Sequence, residues 1–96
     1  MDSHTETIAR DDARHRYILR TEDGTEAGYI EFHEDGRVID MPHTIVDPKF
    51  EGRGYGTKLV RFALDDARGR GLKVKPTCPF IARYIDKHEE YQDLLA

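Results

Sequence analysis

The sequence predicts an α+β fold, a mixed sheet of antiparallel strands followed by helix, strand and helix. Segments of alternating apolar and polar residues, separated by Asp-Gly turns, fill the first half. A stretch with three- and four-residue spacing follows Asp47-Pro48, and a short apolar run then leads into a second helical stretch. Hairpins feeding a strand–helix–strand crossover make a mixed sheet with helices packed against it. The 96 residues suit one compact domain, expected over residues 14–96.

The elements follow in order. Met1 to Ala13 is charged and aperiodic and reads as a flexible tail, with room for one strand around Ile8. His15 to Arg20 alternates, Tyr17 and Leu19 opposing Ile18. Glu22-Asp23-Gly24 is a turn, and Glu26 to His33 alternates again. Glu34-Asp35-Gly36 closes a second hairpin, since Asp-Gly tolerates the positive φ of tight turns. Arg37 to Val46 reads as a longer strand, kinked where Pro42 removes a ladder donor. Leu59, Val60, Ala63, Leu64 and Ala67 recur on one face of a helix from Tyr55 to Arg70, ended by Gly69 and Gly71. Leu72 to Lys75 is a short strand stopped by Pro76. A second helix runs from about Pro79 to Lys87 or Glu89 and is expected to bury Phe80, Ile81, Tyr84 and Ile85. Tyr91, Leu94 and Leu95 are expected to fold back onto the body.

Composition limits the function. Apolar residues make up 38% and charged residues 35%, so the core is thin and a homodimer is an open way to add buried surface. A net charge of −4 provides no general excess of cations for nucleic acid, so none is expected as a partner. One cysteine cannot close an internal disulfide. The sequence has neither an apolar signal core at its start nor an apolar run of roughly 18 residues, so the expectation is a cytoplasmic protein without a membrane partner. The five histidines lack metal-ligand spacing, so no metal is expected.

Phe50-Glu51-Gly52-Arg53-Gly54-Tyr55-Gly56-Thr57-Lys58 joins the long strand to the first helix. Alternate glycines let the backbone bend and approach a ligand closely. At a helix start the first amides lack partners and the dipole is positive, which suits an anion such as a pyrophosphate. Arg53 and Lys58 add cations. The order Gly56-Thr57-Lys58 is not that of a Walker loop, and Thr57 stands where a dinucleotide fingerprint needs its third glycine. A plain tight turn is the alternative that the glycines alone leave open.

His43-Thr44 before this loop and Pro76-Thr77-Cys78-Pro79-Phe80 after it, followed by Tyr84-Ile85 and His88 to Tyr91, complete a recognisable pattern. The run from His43 to Leu95 resembles the GNAT superfamily of N-acetyltransferases, whose loop reads Gln/Arg-x-x-Gly-x-Gly/Ala. It is most similar to a family of minimal single-domain members with those flanking motifs. The resemblance implies a GNAT-like fold that uses acetyl-CoA (coenzyme A in acetylated form) to acetylate an amine, the acceptor being unidentified. It implies that the amides of Gly52, Arg53, Gly54, Tyr55, Gly56, Thr57 and Lys58 bind the pyrophosphate. It further implies that Thr44, Ile45 and Val46 pair with the pantetheine arm. Glu51 departs from the pattern, standing where the superfamily has Gln or Arg, and an acid beside a pyrophosphate is unfavourable unless it points away.

Three residues are candidates for the chemistry. Cys78 precedes Pro79 at a helix start, where the dipole stabilises a thiolate, and the resemblance implies proximity to the acetyl group, so an acetyl-Cys78 intermediate is one route. A small buried thiol is the plainer alternative. Asp40 lies on the strand eleven residues ahead of Glu51, where several GNAT enzymes carry a general base; a solvated strand-end acid is the alternative. Tyr84 lies on the second helix, where superfamily tyrosines protonate the coenzyme thiolate, though its spacing with Phe80 and Ile81 also fits ordinary core. His43 reads as a strand histidine satisfied by hydrogen bonds. A catalytically weak acetyl-CoA-binding module or sensor is the alternative function.

Overall fold

The structure, a computed structural model, describes residues 6–96. Five strands form one sheet in sequence order: β1 (Thr7–Asp11), β2 (Arg16–Arg20), β3 (Glu26–Glu34), β4 (Val38–Val46) and β5 (Lys73–Lys75). The first three pairings are antiparallel, whereas β4 and β5 run parallel, joined through α1 (Tyr55–Gly69). A second helix, α2 (Pro79–Lys87), follows β5, and a 3-10 segment, Glu89–Leu94, closes the chain.

The core lies between the sheet and α1. Leu59, Val60, Ala63, Leu64 and Ala67 are buried on one helix face, as their spacing predicts. They meet Tyr17, Leu19, Ile30, Phe32, Ile39 and Met41 from the strands. The helix ends in a Schellman motif: Leu72 N–H donates to Ala67 O at 2.9 Å and Gly71 N–H to Arg68 O at 3.1 Å, with Gly71 at φ 73°. Arg68 then reaches the last segment through an ion pair with Asp93 at 2.9 Å. Tyr91 and Leu94 fold back and are buried, whereas Leu95 stays 40% exposed while bridging Val74.

Pro42 does mark a break in β4. The register pairs Glu31 with His43 but His33 with Asp40, so Met41 and Pro42 together oppose Phe32. This is a β-bulge, placed where proline cannot donate to the ladder. It shifts the alternation of side chains by one position. Ile39 and Met41 face the helices before it, and Thr44 and Val46 face them after it.

Two expectations are corrected. The tail expected over residues 1–13 gives way over Thr7–Asp11 to an edge strand, in the room open to one around Ile8; residues 1–5 of that expectation fall outside the described residues. Arg10 anchors this strand, pairing with Glu34 at 2.5 Å and stacking 4.4 Å over the Phe32 ring. Phe80 is 37% exposed and Tyr84 only half-buried, because α2 turns a single row inward, carried by Ile81 and Ile85.

Tyr17 links sheet to helix, its fully buried ring ending in a hydroxyl that donates to Asp66 at 2.7 Å. Burial, and then the Asp66 carboxylate, push this phenol above its ordinary value. The folded chain therefore holds the proton more tightly than the unfolded one. That stability is intact below the ordinary phenol pKa, about 10, and declines as pH rises beyond it. Tyr17→Phe should cost about 1 kcal/mol at neutral pH. It should also flatten the alkaline fall in melting temperature, and an unchanged alkaline slope would count against Tyr17 as the titrating group.

Candidate functional site

The site begins where β4 loses its second neighbour. β5 pairs with β4 only from Val38 to Asp40, and Met41 O is taken by Cys78 N–H at 2.9 Å. Beyond that point β4 has no strand on this side among the described residues. Asp47 N–H donates to Ala27 O at 2.8 Å, so alternate residues Ile45 and His43 also address β3. The backbone groups of Thr44 and Val46 accordingly face the open edge.

The glycine loop meets this edge. Asp47 accepts from Lys49 N–H at 2.9 Å and starts a 3-10 turn, Pro48–Phe50. Gly52 and Gly54 then take φ of 83° and 76°, left-handed conformations that glycine adopts without strain. Gly54 is the N-cap of α1 and provides no side chain to satisfy its first amides. A Cβ at Gly52 or Gly54 would meet nothing within 4 Å, so the loop backbone borders open space. Loop and strand edge together enclose a cleft of about 460 Å³, lined among others by Thr44, Val46, Gly52, Gly54, Gly56 and Phe80. Bare amides at the positive end of a helix and an unpaired strand edge make it fit for an elongated anionic ligand.

Cys78 is buried at 6% exposure as the N-cap of α2, and its Sγ donates to Thr44 Oγ1 at 3.4 Å. The thiol therefore sits behind a residue that lines the cleft. Asp40 lies between the buried Ile39 and Met41, hence on the opposite face of β4, and accepts from Thr77 Oγ1 at 2.5 Å. The Thr77 and Cys78 contacts together pin the start of α2 to both faces of β4. Tyr84 is not part of the cleft lining. It lines an adjoining hollow of about 320 Å³ with Thr57, Phe80, Arg83, Lys87 and His88. Its ring stacks on His88 at 3.8 Å, and its phenol is raised by burial, with Glu90 and Asp65 adding and Arg61 opposing.

Other expected residues divide similarly. Tyr55 and Thr57 line the cleft. The Ile45 side chain does not: the pleat turns it to the opposite face, 46% exposed, where its register partner is Tyr29. Arg53 lines a different hollow with Glu22 and Asp23 and lies 5.3 Å over the Phe50 ring. Lys58 pairs with Glu6. Glu51 is exposed and does line the cleft. Phe80 as a cleft wall was missed, since its place next to Pro79 fits buried and bordering positions equally; the absence of Cβ at Gly56 lets its ring approach, an added Cβ lying 3.3 Å away.

A family model described as GCN5-related N-acetyl-transferase matches residues 16–94. Protein NATD1 of Homo sapiens is 27% identical over 82 residues, spanning 84% of this chain and 73% of that protein. Among solved structures, a GCN5-like protein from Staphylococcus aureus shares the fold with a TM-score of 0.69 and 23% identity, over 94% of this chain and 87% of that one. The GNAT family N-acetyltransferase YhbS of Escherichia coli, solved in complex with CoA, is 27% identical with a TM-score of 0.55, over 62% of this chain and 37% of that one.

Proposed function

The chain belongs to the GCN5-related N-acetyltransferases, and from that premise we propose that it transfers an acetyl group from acetyl-CoA to an amine in the Thr44–Gly56 cleft. The observation that carries this reading is the meeting of uncapped α1 amides with the unpaired edge of β4 in one cleft. The amides from Gly52 to Thr57 are the cradle for the diphosphate, whereas the expected Lys58 N–H is spent on Gly54 O at 3.1 Å, and the Thr44 and Val46 backbone is the partner for the amide-bearing pantetheine arm. The bound thioester supplies an activated acyl carbon. The chain holds that carbon beside an open strand edge, where a backbone N–H is available to its carbonyl oxygen.

In this reading the acceptor amine attacks from the sheet face that carries Asp40, whose carboxylate takes the proton. Tyr84 lines the adjoining hollow, which puts water ahead of it as proton donor to the departing thiolate. A covalent route through Cys78 requires the Thr44 hydroxyl, which accepts from its sulfur at 3.4 Å, to turn aside and open the thiol to the cleft. The sulfur would attack the thioester carbonyl while its proton passes to the departing coenzyme A thiolate; the amine would then attack the new thioester, acetyl would leave sulfur for nitrogen, and the amine proton would restore the thiol. Glu51 on the cleft wall favours a second reading, a module that binds acetyl-CoA but transfers slowly.

Calorimetry with acetyl-CoA, followed by mass spectrometry of the protein and of a panel of amines, tests the proposal. Binding with transfer is expected. No heat and no transfer would remove the cleft as a coenzyme site, and binding with no acetyl gained by any amine or by the protein would leave the module. Cys78→Ala is expected to keep transfer within about threefold if attack is direct, and to lower it more than about a hundredfold if the acetyl passes through sulfur.

A further inference from the structure

The cleft is flanked by two hollows of opposite charge. On one side, about 410 Å³ is lined by Glu6, Glu22, Asp23 and a single cation, Arg53. Hydrogen bonds from Thr21 and Thr25 hold the Asp23 carboxyl at about 2, so it is ionised at neutral pH. On the other side is the hollow between α1 and α2, which shares Thr57 and Phe80 with the cleft and offers Arg83 and Lys87. These two cations are one helical turn apart on the same face. Neither has an ion pair or hydrogen bond among the described residues, whereas Arg10, Arg14, Arg68 and Arg70 are all paired with carboxylates. Beside them Phe80, Tyr84 and His88 form an aromatic row at the same spacing, with Tyr84 and His88 stacked at 3.8 Å and 14°.

Resting on the coenzyme reading above, we infer that the Arg83–Lys87 hollow receives the adenosine end of coenzyme A and reads its 3′-phosphate. The ligand's connectivity fits the adjacency. The ribose carries the diphosphate at one carbon and the second phosphate and the base close by, so a group held at the α1 amides leads past Thr57. A phosphomonoester is close to doubly charged at neutral pH, and it is repelled by the acidic hollow and attracted by the basic one. The flat aromatic row gives the base a surface to stack on. The site thereby discriminates coenzyme A from its form ending in a free 3′-hydroxyl.

Calorimetric titration of the wild type and of Arg83→Gln/Lys87→Gln with coenzyme A and with dephospho-coenzyme A tests this. Both changes are at exposed positions, and a thermal melt confirms that the variant is folded. The wild type should prefer coenzyme A by about tenfold or more, and the double variant should bind the two forms alike. Equal affinities in the wild type, or discrimination retained by the variant, would overturn the inference while leaving the coenzyme cleft standing. If neither form binds the wild type, the cleft reading falls and this one with it.

Discussion

Gly54→Val should weaken coenzyme A binding by at least about a hundredfold while lowering the melting temperature by no more than about 10 °C. At φ 76° and ψ 18°, Gly54 is left-handed, a region where a β-branched residue is strained by about 1–3 kcal/mol. No atom lies within 4 Å of the added Cβ, so a clash will not unfold the chain. The loop instead escapes by rotating, and that rotation turns the first α1 amides away from a common point. Losing two charge-assisted hydrogen bonds accounts for a hundredfold or more. Calorimetry beside a thermal melt separates the two effects. Affinity near the wild-type value would mean that the diphosphate is held elsewhere.

Gly28→Ala is the converse case, in which the damage falls on stability. Gly28 lies on β3 opposite Val46, and an added Cβ would come to 2.8 Å from Ile45 O, 3.3 Å from a Leu59 methyl and 3.4 Å from Val46 Cα. The carbonyl belongs to the ladder and has no room to retreat, so β3 and β4 must part or α1 must lift. Overpacking of this kind costs about 1–3 kcal/mol, or roughly 5–20 °C in melting temperature for a domain of this size. Urea unfolding should show a lower midpoint at unchanged slope. The shift occurs at Ile45 and Val46, so coenzyme affinity should fall too. A midpoint equal to that of the wild type would show that the strands are not this closely apposed.

Much of the fold was legible because local rules and tertiary packing agree. The α1 positions from Leu59 to Ala67 follow a helical period, and the same face meets the sheet. Asp35 illustrates turn chemistry: its side chain accepts from Arg37 and Val38 amides at 2.8 Å while Gly36 takes φ 91°. What escaped is what depends on contacts remote in sequence. Thr7–Asp11 was legible only as room for one strand around Ile8; its bounds come from the ladder that β2 offers and from Arg10 finding Glu34. The charge of Arg53 and Lys58 could be read, but not that Arg53 faces Glu22 and Asp23 or that Lys58 meets Glu6. Cys78 was visible as a helix start; its distance from Thr44 needed the fold, and so did the place of Tyr84 in the adjoining hollow.

The bulge at Met41–Pro42 has a wider meaning for how this scaffold tolerates change. Loops such as the one after Arg20 can lengthen by a residue and remain loops, but here the bulge absorbs the one residue by which β4 exceeds β3 between the flanking pairs, and so keeps Thr44 opposite Ile30. With the same residues and a regular alternation in place of the bulge, His43 and Ile45 would turn toward the helices and Thr44 outward from the thiol it now touches. The bulge is therefore as much a part of the cleft as any side chain that lines it, and it is fixed by geometry that composition alone leaves invisible.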